Sequence, residues 1–171
     1  MDRVRALVRD VPDFPKPGIV FKDLTPALAD GDAFREIVAG LVGLARGRAC
    51  DKVVAVEARG FLFGAAVASA LGVGLVPVRK PGKLPWKTDR VTYALEYGTD
   101  SLEMHVDALR RGDKVLVVDD LLATGGTAAA ASQLVERQGA SVEGFAFVIE
   151  LDFLQGRQRL GAERVHALLH Y

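Results

Sequence analysis

Short, mostly apolar runs alternate along this chain with longer stretches in which apolar positions recur every three or four residues. Val53-Val-Ala-Val56, Leu75 to Val78, Val115-Leu-Val-Val118, Val142 to Leu151 and Val165 to Leu169 are of the first kind and predict strands, most of them buried on both faces. The stripe Phe34, Ile37, Val38, Leu41 and Leu44 predicts a helix capped by Asp32 and running through Arg46. Phe61 to Leu71 is apolar nearly all round, which predicts a buried helix. The Ala-rich stretch after Gly126 predicts another, reaching about Gln138. Strands alternating with helices imply an α/β fold with a doubly wound, mostly parallel sheet and right-handed crossovers. Two segments look like additions to that sheet. One is the N-terminal arm with Pro12, Pro15, Pro17 and Gly18, ending in Ile19-Val20-Phe21. The other runs from Val91 to Leu102, where Val91 to Glu96 alternates as a strand.

Composition narrows this picture. A chain of 171 residues, half of them hydrophobic, suits one domain with a sizeable core. Neither an internal repeat nor a linker divides residues 1–171. The 22 basic and 22 acidic residues cancel, so bulk electrostatic binding to nucleic acid or an anionic membrane is not expected. Cys50 is the only cysteine, which excludes an intrachain disulfide and a cysteine cluster for zinc. Phe61 to Val78 carries no charge, but Gly72-Val73-Gly74 divides it into a helix and a strand, against a membrane span. Met1 to Arg5 has no continuous apolar signal region, and a cytoplasmic protein is the expectation.

The chemistry concentrates at Val115-Leu-Val-Val-Asp-Asp-Leu-Leu-Ala-Thr-Gly-Gly-Thr127. Two carboxylates, Asp119 and Asp120, follow a buried strand, and Ala123-Thr124-Gly125-Gly126-Thr127 opens a helix. Ligands bind at such strand ends in open α/β sheets. Unpaired N–H groups and the positive dipole end of a helix suit a phosphate. Gly125 and Gly126 let the backbone close around it, and Thr124 and Thr127 add hydroxyl donors. A phosphate cradle would avoid two carboxylates unless they face something else. Sugar hydroxyls, which donate hydrogen bonds, fit that place. A phosphorylated ribose is therefore indicated, against the plainer reading of a βα turn with exposed acids.

The segment resembles the 5-phosphoribosyl-1-pyrophosphate (PRPP) signature of the type I phosphoribosyltransferases, and its spelling VVDDLLATGGT is similar to the adenine phosphoribosyltransferase branch. The resemblance runs from Phe14 to about Leu151, and beyond Leu151 the match is loose. It implies a small hood over the base, to which an arm over residues 12–30 contributes. It implies PRPP and adenine as substrates, AMP and pyrophosphate as products, and purine salvage as the role. Asp119 and Asp120 would hold the ribose diol, and Ala123 to Thr127 the 5′-phosphate. Mg²⁺ is implied because PRPP clusters negative charge that a hard cation bridges. It would have no direct protein ligand and would sit near Asp119 and Asp120 through PRPP and water.

Three further segments carry chemistry once that resemblance is in view. Glu57-Ala-Arg-Gly-Phe61 also follows a strand and would be the pyrophosphate loop, with a cis peptide before Arg59; by itself it reads as an ion pair between Arg59 and Glu57. Arg79-Lys-Pro-Gly-Lys-Leu-Pro-Trp-Lys87 has the composition of a mobile cationic loop. It would close on PRPP, with Lys80 and Lys83 reaching the pyrophosphate, or else it is a solvated loop tip. Glu96 in Leu95-Glu-Tyr-Gly98 is by periodicity an exposed strand residue, whereas the resemblance makes it the general acid/base at N7 of the purine. Phe21 reads first as a hydrophobic anchor of the arm. The resemblance adds stacking of Phe21 on the base and backbone readout by Val20 and Lys22, where the family often has Arg. The nearly all-apolar helix also predicts a homodimer. Rival readings are a transferase acting on 6-oxopurines and a catalytically silent PRPP sensor that binds nucleic acid. The latter lacks support in a chain with no basic excess.

Overall fold

The computed structural model describes residues 1–94 and 98–171. The chain divides into two compact units, Met1–Gly40 and Leu41–Tyr171.

The first unit holds helix α1 (Asp2–Leu7), strands β1 (Arg9–Pro12) and β2 (Val20–Asp23), helix α2 (Thr25–Ala29) and the start of α3 (Gly31–Ala45). β1 and β2 pair as an antiparallel hairpin, with Asp10 opposite Lys22. Their side chains form a cross-strand ion pair, Lys22 Nζ lying 2.6 Å from Asp10 Oδ1. Phe14 meets Phe21 edge-on, with ring centroids 5.2 Å apart. Helix α3 is capped by Asp30, not by Asp32 as expected. Asp30 Oδ1 accepts the N–H groups of Asp32 at 3.1 Å and Ala33 at 2.9 Å. The helix begins at Gly31, so the preceding carboxylate is the one placed to meet its first free amides. The buried stripe is Ala33, Ile37, Leu41 and Ala45, a run of i, i+4 steps that shares only Ile37 and Leu41 with the expected set.

The second unit is built on five parallel strands in the order β4 (Gly74–Val78), β3 (Lys52–Val56), β7 (Lys114–Leu122), β8 (Ser141–Glu150) and β9 (Val165–His170). Val53 to Val56 and Val115 to Val118 are buried, as unbroken apolar runs require of central strands. Helix α4 (Gly60–Leu71) connects β3 to β4, and helix α5 (Gly126–Arg137) connects β7 to β8. From β3 the chain steps one way to β4, and from β7 it steps the other way to β8 and β9. The direction of winding reverses between β3 and β7, and a doubly wound sheet opens its ligand crevice at that point, outside the carboxyl ends of the strands. Gly72 ends α4 in the left-handed conformation, dividing the apolar stretch as expected. No helix of the described residues is long and apolar enough to cross a membrane.

Two departures from the sequence reading matter for the site. β7 continues through both acids to Leu122, because β8 extends alongside it and pairs with Asp119, Leu121 and Leu122. The alternating segment is a separate antiparallel hairpin of β5 (Thr88–Ala94) and β6 (Thr99–His105), which packs against α5. Val91 and Tyr93 on β5 turn inward, while Arg90, Thr92 and Ala94 face out. After β8, a single 3₁₀ turn (Asp152–Leu154) and the short helix α6 (Gly156–Leu160) lead to the edge strand β9.

Candidate active site

The ends of β3, β4 and β7 enclose a cleft of about 280 Å³. It gathers Arg59, Lys80, Asp119, Asp120 and the whole run Ala123 to Thr127. Lys83 does not line it. Glu96 lies outside the described residues. Val20, Phe21 and Lys22 belong to β2 of the first unit.

Arg59 sits at the N-cap of α4, half exposed, and its Nε donates to Asp120 Oδ2. Its partner is thus across the switch point, not the neighbouring Glu57. Glu57 is occupied elsewhere: its carboxylate accepts from Arg79 at 3.0 and 3.2 Å and from the Lys80 N–H at 3.0 Å. The Arg79 hydrogen bonds hold the Glu57 carboxyl below its ordinary pKa despite some burial. The cis peptide lies at Glu57–Ala58, one bond before the position expected from the resemblance.

Asp120 is buried, and its N–H donates to Asp119 Oδ1 at 2.9 Å. Burial, and then the charge of Asp120, push the Asp119 carboxyl well above the ordinary 3.8. Helix α4 reaches this carboxyl only because residue 60 is glycine. A Cβ built there would stand 2.6 Å from Asp119 Oδ1.

The loop after β7 turns at Gly125, with φ +78°, and enters α5 with no side chain capping its first amides. Those amides are left for an anion. Thr127 Oγ1 and Asp100 Oδ2 each lie 3.3 Å from the Tyr93 hydroxyl, and Asp100 also holds the Lys80 ammonium. Burial opposes the Lys80 charge, but the Asp100 hydrogen bond and the nearby Tyr93 outweigh it and raise the pKa. Tyr93 and Asp100 were not foreseen as site residues. The pairing of Tyr93 with Asp100 across the hairpin was the signal that could have found them.

The cationic loop is more firmly tied than its composition suggests. Glu57 fixes Arg79 and Lys80 at its start. Arg79 and Glu103 exchange backbone hydrogen bonds at 2.9 and 2.7 Å. The buried Glu103 carboxylate accepts the Gly82 N–H at 3.0 Å and is held below its ordinary pKa by Arg90. Two carboxylates therefore anchor the first half of the loop. Lys83 and Trp86 are exposed, Trp86 by 62%.

Acidic oxygens at Asp119 and Asp120 are the donor chemistry a hard cation takes. With Asp120 bound to Arg59, they suit a cation reached through water or substrate oxygens. The one grouping of three metal-type ligands among the described residues is elsewhere, at Glu150, Asp152 and His170. There Arg157 already forks onto Glu150 at 2.7 and 2.5 Å.

Comparison with known proteins agrees with this geometry. The family model for the phosphoribosyl transferase domain matches residues 24–165. An adenine phosphoribosyltransferase of Anaeromyxobacter dehalogenans (strain 2CP-C) is 59% identical over 171 residues, covering 100% of this chain and 99% of the relative. That of Methylococcus capsulatus (strain ATCC 33009 / NCIMB 11132 / Bath) is 57% identical over the full length of both. The crystal structure of adenine phosphoribosyltransferase from Thermoanaerobacter pseudethanolicus superposes with a TM-score of 0.97 at 51% identity, covering 99% of each chain. The Saccharomyces cerevisiae enzyme, complexed with D-2,5-dideoxy-2,5-imino-altritol 1,6-bisphosphate and adenine, has a TM-score of 0.91 at 42% identity, covering 98% of this chain and 97% of its own. Its winding, its acid pair and the glycine turn at the switch point place this chain in the phosphoribosyl transferase family, within the adenine phosphoribosyltransferase branch.

Proposed function

We propose that this protein transfers the 5-phosphoribosyl group of PRPP to adenine, releasing AMP and pyrophosphate for purine salvage. The observation that carries the proposal is the single cleft in which Asp119 and Asp120 stand between a glycine-turned helix start and the cations Arg59 and Lys80. Each part suits one part of PRPP. The 5′-phosphate takes the amides of the Ala123–Thr127 loop. The ribose hydroxyls donate to the Asp119 and Asp120 carboxyl groups. Arg59 and Lys80 turn to the pyrophosphate, and Lys83 joins them from the outer part of its loop. Mg²⁺ carried by PRPP would be held near Asp119 and Asp120 through water and would supply further neutralisation of the leaving pyrophosphate.

Bond making at C1′ draws electron density out of adenine as N9 attacks. A carboxyl at N7 relieves that charge, and Glu96 has this role in the proposal. Arg59 and Lys80 stabilise the charge that develops on the departing oxygen. Phe21 stacks on the base, and the backbone of Val20 and Lys22 reads its edge. The hood that residues 12–30 help to build, a single functional domain over 1–171, and a cytoplasmic location complete the reading. A homodimer is part of it too, supported by two large apolar side chains left at the surface, Leu62 on α4 (49% exposed) and Leu75 on β4 (41%).

The deciding experiment is an assay of purified protein with PRPP, Mg²⁺ and each of adenine, hypoxanthine, guanine and xanthine. Adenine presents an acceptor at N1 and a donor at the 6-amino group, and hypoxanthine reverses both. A site that pairs with this edge rejects the wrong base by about 10⁴-fold in kcat/KM. Comparable values for adenine and hypoxanthine would replace the proposal with the 6-oxopurine reading.

A further inference from the structure

The chain beyond Leu151 carries no motif, yet it runs directly beneath the glycine turn. A Cβ built on Gly156 would lie 2.1 Å from the Ala123 carbonyl oxygen and 3.0 Å from the Gly125 nitrogen. A Cβ on Gly125 would lie 2.7 Å from the Gly156 carbonyl oxygen. The two backbones are in contact because both positions lack a side chain. Two neighbours hold α6 in that place. Arg157 forks onto the buried Glu150 at the end of β8, and Leu160 is buried.

Arg159 follows Gly156 by three residues, so it projects from the same side of α6. Its Cβ is 3.5 Å from a Cβ built on Gly125, and its Nη1 is 3.6 Å from one built on Gly126. The guanidinium therefore stands beside the first residue of α5, a point that the Tyr93 ring also approaches to 3.5 Å. Arg157 is spent on Glu150, but no carboxylate among the described residues pairs with Arg159. The signature segment Val115 to Thr127 contains no cation of its own, and its only charges are the two acids Asp119 and Asp120. A dianionic phosphate at the amides of α5 needs a cation close by, and Arg159 is exposed enough to supply one.

We propose that Arg159 is a binding residue for the 5′-phosphate, placed there by the contact of Gly156 with the glycine turn. The assignment rests on the PRPP reading of the cleft and adds to it a cation that the motif itself does not contain. It serves the phosphate on the ribose, not the pyrophosphate, so it acts on PRPP and AMP alike and is indifferent to adenosine.

Titrations of the full protein with AMP and with adenosine separate these ideas, using the wild type, Arg159→Gln and Arg159→Lys. In Arg159→Gln the Kd for AMP should rise by about 10- to 100-fold, the loss expected for a charge-assisted hydrogen bond, and the Kd for adenosine should stay the same. Arg159→Lys keeps the charge without the fork and should fall between. In the transfer assay the KM for PRPP should rise in the same order, with kcat at saturating PRPP little changed. An unaltered AMP affinity in Arg159→Gln would overturn the proposal, as would an equal loss for AMP and adenosine, which would mean a displaced loop. A wild type that binds AMP no better than adenosine would instead overturn the phosphate loop assignment, and this proposal with it.

Discussion

Gly64→Ala tests whether the pyrophosphate loop is held in place by the packing behind it. Gly64 lies on the buried side of α4, and a Cβ built there would stand 2.4 Å from the Cβ of Ala55 on β3. Carbon atoms pack at about 3.5–4.0 Å, so the two must separate by more than 1 Å. Ala55 has no freedom to yield, because it is fully buried on a strand flanked by β4 and β7. The helix must move instead. Overpacking of this kind costs about 1–3 kcal/mol, and a contact this short with a central strand belongs at the upper end. Alanine recovers about 1 kcal/mol of helix propensity. The net loss is then about 2 kcal/mol, which lowers the melting temperature by roughly 4–8 °C in a chain of this size. Moving α4 also moves Arg59 at its N-terminus, so the KM for PRPP should rise even where the protein remains folded. The assay is a cycle of thermal or urea unfolding on the wild type, Gly64→Ala, Ala55→Gly and the double variant. Ala55→Gly removes the opposing methyl, so in its background Gly64→Ala should be neutral or stabilising, with a coupling of about 2–3 kcal/mol. Additive effects, or a Gly64→Ala protein as stable as the wild type, would refute the packing argument.

Asp119 offers a pH test. Its carboxyl has a folded pKa above the unfolded one, so its contribution to stability is fully present below the ordinary 3.8 and is lost as pH rises through the folded value. Asp119→Asn should therefore melt higher than the wild type at about pH 7–8, with the difference shrinking towards pH 4, while PRPP use falls by the loss of a hydrogen bond worth about 1.5–3 kcal/mol. A variant less stable than the wild type at neutral pH would reject the burial argument. Light scattering should give a homodimer, and Leu62→Glu with Leu75→Glu should shift it towards monomer; full activity from a monomer would remove the interface from the mechanism. Trypsin should cut the free protein after Lys83, in the half of the cationic loop beyond the Glu103 anchor, and Mg²⁺ with PRPP should protect it. Trp86, the only tryptophan, should change emission in the same titration, and unchanged digestion and emission would leave that loop a fixed surface.

The sheet was legible because its strands are written as apolar runs and its switch point as an acid pair followed by a glycine turn. Residues such as Val53 to Val56 have one environment open to them, and periodicity reports it. What stayed hidden was pairing between segments distant in sequence. Nothing near Asp119 announces that β7 runs on past the acids, since that depends on β8 lying beside it. Nearness in sequence points Arg59 to Glu57, but β3 and β7 are neighbours in the sheet, and this brings Asp120 within reach instead. The composition of the cationic loop implies mobility, while the carboxylates that tether it, Glu57 and Glu103, come from other elements. Gly156 and Arg159 stand in a stretch without a motif, where only the contact with Gly125 gives them meaning.

A formal charge of zero conceals how the charges around the cleft are arranged. Arg59 is held by Asp120, Lys80 by Asp100 and Arg79 by Glu57. On the proposed reading, PRPP takes two of its cations, Arg59 and Lys80, from carboxylates. Such an exchange trades one charge-assisted hydrogen bond for another, so its net gain is much less than either bond alone. The displaced acids also need new donors. Ribose hydroxyls can serve Asp120, and Asp100 keeps the Ser101 N–H at 2.8 Å and the Tyr93 hydroxyl. Arg159 differs from these cations because no carboxylate among the described residues competes for it. Its bond to a phosphate is not offset by one that must be broken first. The affinity for PRPP should therefore depend more on Arg159 at the phosphate end than on Lys80 at the pyrophosphate end, although it is Lys80 that lines the cleft. Selectivity for a phosphorylated ribose would then come from a residue outside the signature, while the paired cations of the cleft, Arg59 and Lys80, follow the charge as it moves onto the leaving group.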